Sequence, residues 1–468
     1  MVHWNETQRR GVLTAVDCDL VIIGGGAAGL GAARAARRRN ASVTLVSDGP
    51  LGGDCTFSGC VPSKTLLSAA RRGLDFSDAM IEVQRVISSI ATNENIDVLK
   101  GEGVNVVSGR GRFVDATSLD VEGTMLHSRR FIVATGAGPL VPPIPGLDSV
   151  PILTNENVFA QSKAPGHLAI LGGGPVGIEM AEAFALLGST VTVVEAATRV
   201  LPREEPETSE VITAYLEQLG VKMLTGTSCT SVSQLGRATQ LEFDSGPPVV
   251  ADALLVAVGR IPSSRDLGLE RVGVAVDARG FVEVNTRMRT SLPHIFAAGD
   301  VALPLQFTHV ADETGRIAAA NALSRVPLRK FHPEWIPMVT YTSLEVARVG
   351  VVEQQAPKNS RVAYLPMTEF DRAVMSGEER GFVKIIVTPR RLSGNLAGGA
   401  VTGATIVAPR AGEMLQEIVL AMRARMWPAR LATATHAYPT WSLAVQQTAA
   451  QFFGEFGGRI ARAAKSME

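Results

Sequence analysis

Cys55 and Cys60 lie in the run Leu51-Gly-Gly-Asp-Cys-Thr-Phe-Ser-Gly-Cys-Val-Pro-Ser-Lys64, shortly after a glycine-rich loop at residues 24–29. Two thiols at this spacing can form a disulfide or stay reduced. Beside a dinucleotide, such a pair can take electrons and pass them on. The spacing also constrains geometry. In a regular helix the Cα atoms of residues i and i+5 lie roughly 8–9 Å apart, whereas a disulfide needs less than about 7 Å. A bridged pair therefore excludes one regular helix through both residues. Gly52, Gly53 and Gly59 supply backbone freedom for a distorted first turn. A helix N-terminus favours the thiolate form of a cysteine placed there.

The elements that must position this pair are legible around it. Cys18-Asp-Leu-Val-Ile-Ile-Gly-Gly-Gly-Ala-Ala-Gly-Leu30 reads as a buried strand, a tight turn and a helix start. The helix is predicted through Ala32–Arg39, and a second strand at Ser42–Val46, which makes a βαβ unit. The pattern recurs at His167–Glu179, with a helix to about Leu187 and a strand at Thr190–Glu195. Two such copies indicate a duplicated dinucleotide-binding domain rather than a solenoid, whose period is shorter. Gly24-x-Gly26-x-x-Gly29, with Ala28 inside it, and Gly172-x-Gly174-x-x-Gly177 both follow a strand and open a helix. The first glycine permits the turn, the second admits a pyrophosphate against backbone, and the third allows helix–strand packing. The helix N-terminus adds partial positive charge.

At the end of the second strand a carboxylate commonly grips a ribose. Glu195 occupies that position in the second unit; its charge repels a 2′-phosphate and favours NADH over NADPH, while Arg199 and Arg203 keep NADPH open. In the first unit the position is Ser47, with Asp48 beside it. Phe131-Ile-Val-Ala-Thr-Gly136 and Ala253-Leu-Leu-Val-Ala-Val-Gly-Arg260 each read as a strand stopping at glycine, where backbone approaches a ligand. Ala134, Thr135, Gly136, Gly259 and Arg260 join Gly53 as candidate cofactor contacts on that ground. Val141–Gly146 is a stiff proline-rich linker. Pro293-His-Ile-Phe-Ala-Ala-Gly-Asp300 is a third landmark, contributing Gly299 and Asp300. From about Phe331 strands precede helices, with Thr340-Tyr-Thr and Gly381–Val387 as strands, as in a separate α+β domain. The expected boundaries are 1–150 and 276–330 for the first binding domain, 151–275 for the second and 331–468 for the α+β domain.

A chain of 468 residues exceeds what one core usually serves. Lysine plus arginine and aspartate plus glutamate number 45 each, which argues against nucleic acid or an anionic membrane as the main partner. Apolar residues at 46% and charged ones at 19% fit a globular, well-buried protein. Four cysteines are too few for a secreted disulfide scaffold, so a reducing, cytoplasmic setting is expected. His309, His332 and His436 are scattered, and no metal site is expected. Met1–Val16 is polar without an apolar signal core and reads as a short extension. No apolar stretch of about eighteen residues occurs, so no membrane span is expected.

Taken together, these residues resemble the pyridine nucleotide–disulfide oxidoreductases, the group that includes dihydrolipoamide dehydrogenase, glutathione reductase and mercuric reductase. The resemblance runs from about Asp17 to Phe453. It rests on the two glycine loops, the Gly-Gly-x-Cys-x4-Cys-Val-Pro-Ser-Lys run, Ala134-Thr-Gly136, Ala297-Ala-Gly-Asp300 and Tyr341-Thr-Ser-Leu-Glu-Val-Ala-Arg-Val-Gly350. It implies FAD on the first unit, a pyridine nucleotide on the second, and a C-terminal dimerisation domain that makes a homodimer. By the same resemblance Cys60 faces the flavin as the charge-transfer thiolate and Cys55 is the interchange thiol. Asp300 holds the ribityl chain, and Lys64 lies near the flavin paired with Glu179.

The resemblance fails at one place. Disulfide-reducing members end in His-Pro-Thr-x-x-Glu, in which histidine is the acid–base for the interchange thiol and glutamate orients it. Here the segment is Thr435-His-Ala-Tyr-Pro-Thr-Trp-Ser-Leu-Ala444, with Tyr438 and Leu443 at the two positions. If the segment is extended, His436 points to the same side as Tyr438 and is a candidate substitute. Mercuric reductases carry tyrosine there but keep the glutamate and add a C-terminal cysteine pair. This chain has no cysteine after Cys229, and no leading metal-binding domain is expected. Asp371–Glu379 sits closer to the mercuric reductase branch. The expected activity is thus NAD(P)H oxidation through FAD and Cys55–Cys60 to a small-molecule acceptor such as a quinone, an electrophile or a metal ion. Three alternatives stand: a dihydrolipoamide dehydrogenase with altered acid–base residues, a mercuric reductase-like detoxifier, and a low-turnover redox sensor.

Overall fold

A computed structural model describes residues 16–465, so the polar extension expected at Met1–Val16 lies outside the described residues except for Val16. The chain groups into two compact units.

The first unit takes residues up to 57, 87–138 and 260–331. Its centre is a five-stranded parallel sheet in the order Ile295–Ala297, Phe131–Val133, Leu20–Ile23, Val43–Ser47, Val104–Ser108. Leu20–Ile23 is buried throughout, as suits a parallel strand covered on both faces. Helices Ala27–Arg37 and Thr308–Ala322 pack on this sheet and on each other. Their crossing is close: a Cβ on Gly31 would lie 2.5 Å from Asp312 Oδ1, and one on Gly315 would lie 2.1 Å from the Ala28 carbonyl oxygen. The first helix starts at Ala27 and stops at Arg37, short of the expected Arg39, because the chain turns at Asn40 with φ +58°. A small sheet of Gly111–Asp115, Ser118–Val121, Thr124–Ser128 and Val16–Cys18 shares an apolar core with the large one, with the Phe113 and Phe131 rings edge to face at 5.1 Å.

The second unit takes residues 58–86, 139–259 and 332–468. It holds a four-stranded parallel sheet in the order Lys222–Thr225, Thr190–Glu195, His167–Leu171, Ala253–Val256. Helix Pro175–Leu186 follows the central strand. A three-stranded antiparallel sheet spans Cys229–Leu235, Ala238–Phe243 and Val249–Ala251. A six-stranded antiparallel sheet runs Met338–Thr340, Glu345–Gly350, Ala400–Ala408, Phe382–Thr388, Arg361–Pro366, Arg462–Ala463. Helices Ala411–Arg423 and Leu443–Ala450 pack against it over one apolar cluster, the α+β arrangement expected beyond Phe331.

Two strands stop before the glycines expected to end them, at Val133 and Val256. The strand expected through Thr342 ends at Thr340. The reason is local: the Tyr341 N–H donates to Glu179 Oε1 and its carbonyl accepts from Arg71, so neither group is available to the sheet. Lys384 is buried inside the antiparallel sheet, with Glu205, Glu207 and Glu353 at 3.4, 2.7 and 3.1 Å. A buried ammonium requires such compensation, and here it ties the Glu205–Glu207 segment to the sheet. No helix among the described residues is long and apolar enough to cross a membrane.

Candidate functional site

In the first unit the strand Leu20–Ile23 delivers the chain into the Gly24–Gly29 loop. Gly24 has φ +114°, and a Cβ there would sit 2.2 Å from the Ala134 carbonyl oxygen. A Cβ on Gly29 would lie 1.9 Å from the Gly24 carbonyl oxygen. The fold itself demands these two glycines. Gly26 differs: its φ is −80°, and the nearest atom to an added Cβ is 3.9 Å away. Gly26 also caps helix Ala27–Arg37 with no side-chain acceptor, so the first N–H groups of that helix have no capping side chain.

The segment before the cysteines lies on this loop. The Gly52 N–H donates to the Gly25 carbonyl at 2.9 Å, and Gly52 and Gly26 form an isolated parallel bridge. Thr56 is buried and donates to Glu94 Oε2 at 2.8 Å. Ser47 is buried with its hydroxyl donating to the Gly49 carbonyl at 2.9 Å, while Asp48 is exposed. The Ala134 N–H donates to Ile23 O, and the Thr135 hydroxyl donates to Ser263 O at 2.7 Å; Gly136 follows with φ +72°. Gly299, φ +74°, donates its N–H to the buried hydroxyl of Thr314 at 3.0 Å. Asp300 follows inside the short 3-10 turn Gly299–Val301. Arg260 binds Asp54 and the Ala137 carbonyl, with Asp300 Oδ2 at 3.8 Å from its Nε, which is buried and has no hydrogen-bond acceptor.

The cysteines sit on separate helices. Cys55 is half-buried in Gly53–Phe57, the chain breaks at Ser58–Gly59, and Cys60 is the exposed first residue of Cys60–Arg71. The loosened turn expected from the spacing is thus a break between two helices. Gly52 and Gly53 take positive φ but Gly59 does not, its φ being −123°.

From helix Cys60–Arg71, Lys64 Nζ reaches Glu179 Oε2 at 2.8 Å and Arg71 Nε reaches Glu182 Oε1 at 3.3 Å. Both glutamates are buried and lie on Pro175–Leu186. Glu182 also accepts from the Ser343 N–H, the Ser343 hydroxyl and, at 3.1 Å, the Tyr215 hydroxyl. Burial, and then the Glu182 charge, push the Tyr215 phenol up to about 12. Burial works against the Lys64 charge, but Glu179 and Cys60 outweigh it and hold the ammonium above its ordinary range.

The second loop repeats the first. Gly172 has φ +109° and a Cβ there would meet the Ala257 carbonyl oxygen at 2.5 Å; one on Gly177 would meet Gly172 O at 1.9 Å. Gly174 has open space around it and caps its helix without a side chain. Glu195 accepts from the Gly173 and Ala197 N–H groups at 2.7 Å each. Arg199 donates to Ser209 Oγ at 2.8 Å and to the carbonyls of Leu201, Pro202 and Glu205, so its guanidinium folds its own loop; Arg203 is exposed. Gly259 has φ +145° and accepts from the Leu140 N–H at 3.0 Å.

In the C-terminal segment residues 438–439 form a turn, so the condition of an extended segment is not met, and His436 and Tyr438 bond to different elements. His436 Nε2 is 3.0 Å from Glu417 Oε2, and its Nδ1 is 2.9 Å from the Ala434 carbonyl oxygen. The Tyr438 side chain is exposed and its hydroxyl donates to Asp371 Oδ2 at 3.2 Å. Lost hydration, then the hydrogen bond to Asp371 and its charge, raise the Tyr438 phenol above its ordinary value. Leu443 opens helix Leu443–Ala450 and packs on the apolar core.

Residues 18–315 match the model of the family described as pyridine nucleotide-disulphide oxidoreductase, and residues 336–449 match that family's dimerisation domain. The chain belongs to the pyridine nucleotide-disulphide oxidoreductases. A mercuric reductase of Streptomyces lividans is 35% identical over 93% of this chain and 96% of its own length. A dihydrolipoyl dehydrogenase of Thermus scotoductus is 33% identical over 92% and 96%. Among solved structures, the Cu(II) complex of the HOCl-induced flavoprotein disulfide reductase RclA from Escherichia coli superposes with TM-score 0.85 at 30% identity, over 93% of this chain and 99% of that one.

This oxidoreductase is therefore flavin-dependent, with FAD as cofactor. The residues present fit that group. Gly26 is a glycine that the protein's own packing does not require, beside an uncapped helix N-terminus, as a pyrophosphate needs. The Arg260 Nε without an acceptor adds an unused donor within reach of Asp300. Gly25, whose Cβ would meet Ser47 Oγ at 2.6 Å, and Tyr341 lie inside the quoted runs but carried no expected role, and Thr314, Arg71, Glu182 and Glu417 lie outside them. Only Glu182 carried a signal, being three residues from Glu179 and so on the same helix face.

Proposed function

We propose that this oxidoreductase uses NADH and passes electrons, through Cys55 and Cys60, to an acceptor that needs no protonation of a leaving thiol: a quinone, a small electrophile or a metal ion. One observation carries the reading. The histidine nearest the acid–base position, His436, has both ring nitrogens engaged, by Ala434 and by Glu417, and neither Tyr438 nor Leu443 can take its place near neutral pH.

When bound, FAD supplies hydride acceptance from the reduced nicotinamide and two-electron transfer onward. The chain's own residues do the rest. Gly26 and the Ala27–Arg37 N-terminus bind its pyrophosphate, and Asp300 and Arg260 hold the polar chain. Glu195 binds the ribose of the nicotinamide nucleotide, and its charge together with the commitment of Arg199 supports NADH over NADPH. Two electrons and one proton delivered to a Cys55–Cys60 disulfide break the S–S bond and leave one thiolate and one thiol. Lys64 favours the thiolate at Cys60, which leaves Cys55 as the thiol that meets the acceptor. The dimerisation domain supports a homodimer.

The names of the curated relatives bring mercuric ion into the set of acceptors. Steady-state turnover with NADH against a quinone, lipoamide, glutathione disulfide and mercuric ion tests this. Turnover with the quinone is expected to exceed that with either disulfide by at least about a hundredfold, the usual scale of a missing general acid–base. Comparable turnover with lipoamide would overturn it.

A further inference from the structure

Lys64 is held by more than its carboxylate. Its Nζ lies 4.8 Å from the centroid of the Tyr341 ring, in the cation–π range. The Tyr341 backbone is anchored on both sides, although its ring is partly exposed. Its N–H donates to Glu179 Oε1 at 2.8 Å, and its carbonyl accepts from Arg71 Nη2 at 2.5 Å. Glu179 thus grips both the ammonium and the backbone that carries the ring, so one carboxylate sets the geometry of the pair. Lys64 in turn stands one helical turn beyond Cys60 on the same helix, at the i, i+4 spacing that brings side chains together.

We propose that Tyr341 is a positioning residue for the Cys60 thiolate: its ring covers one side of the Lys64 ammonium, holds it toward the sulfur and keeps water from screening it. A ring over one face of an ammonium displaces water there, so the cation's field at a nearby anion is less screened, whereas the Glu179 carboxylate, itself an anion, works against that field. The ring face does this and the hydroxyl does not. Lys64 from its own helix and Tyr341 from the segment after Met338 both couple electrostatically to Cys60, and Glu179 from Pro175–Leu186 acts on both of them while Glu345 acts on Tyr341. Burial, reinforced by Cys60 and Glu345 and opposed by Lys64, pushes the Tyr341 phenol up, so the ring stays neutral while the thiol titrates.

The inference rests on the reading of Cys60 as a working thiolate, and alkylation separates the two. In reduced, flavin-loaded Cys55→Ser enzyme, the pH dependence of iodoacetamide addition at Cys60, located by peptide mass, gives the thiol midpoint without turnover. Tyr341→Leu is expected to raise that midpoint by about half to one pH unit, the scale of one cation–π contact. Tyr341→Phe is expected to leave it in place, and Tyr341→Leu is expected to add nothing in a Lys64→Met background. An unmoved midpoint in Tyr341→Leu overturns the proposal. So does a shift in Tyr341→Phe as large as in Tyr341→Leu, which would mean the hydroxyl acts. If Cys60 titrates as an ordinary thiol in every variant, the thiolate reading falls and the inference with it. The comparison of leucine with phenylalanine decides the matter even where Lys64→Met does not fold.

Discussion

The two phosphate loops share their outer glycines and differ in what lies over the middle one. In both, a carbonyl presses on the first glycine and the third packs on the first, so backbone contact alone fixes residues 24, 29, 172 and 177. Over Gly26 runs the Gly52–Gly53 segment, and a Cβ on Gly53 would meet Gly26 Cα at 2.9 Å. Over Gly174 there is open space. The strand ends differ as well: Ser47 bonds its own turn, whereas Glu195 holds the loop through the Gly173 N–H. A covered loop suits a dinucleotide that stays, and an open loop with a carboxylate rim suits one that exchanges each cycle.

The largest effect is expected from Gly29→Ala and Gly177→Ala, each of which drives a methyl into a carbonyl oxygen at 1.9 Å. Gly29→Ala should purify without flavin absorbance. Gly177→Ala should keep the flavin spectrum but lose about a hundredfold in its rate of reduction by NADH, the usual scale of a misplaced reactant. Reversal of the two outcomes would break the assignment of cofactors to loops. Next come the glycines that set the cover. Gly53 has φ +60°, and an alanine forced there costs roughly 1–3 kcal/mol, which should weaken FAD about tenfold or more by titration of the apoprotein. Gly174→Ala meets no atom within 4 Å, so the thermal midpoint without nucleotide should hold while KM for NADH rises. The smallest effects belong to the strand ends. Glu195→Ser should shift the NADH/NADPH ratio of kcat/KM toward NADPH by about tenfold, through loss of like-charge repulsion. Ser47→Ala should cost about 1 kcal/mol of stability, one hydrogen bond, without changing nucleotide preference.

Legibility in the sequence followed distance along the chain. Both loops, the strand Thr190–Glu195 and the helix after Gly174 could be read because each depends on residues a few positions apart. Lys64 and Glu179 were paired only through the family resemblance, since no local rule joins two separate helices. The partners that explain the site's rigidity were invisible for the same reason. Arg71 donates directly to the Tyr341 carbonyl and pairs with Glu182, Glu179 accepts from the Tyr341 N–H, and Glu417 reaches His436 from helix Ala411–Arg423. Strand alternation does not apply to residues 435–444, because 438–439 form a turn and a helix starts at Leu443. The strand expected through Thr342 failed once side chains claimed the backbone groups of Tyr341.

The order of strands in the two parallel sheets has a consequence for biosynthesis. The sheet behind the second loop is complete once Ala253–Val256 has been made, whereas the sheet behind the first waits for Ile295–Ala297. Thr314, which anchors Gly299, arrives later still, on Thr308–Ala322. As a chain emerges N-terminus first, the loop nearest its start is therefore the later of the two to gain its full sheet. The first sheet closes only after the whole of the second has been made, with the stretch from Phe331 onward still to come.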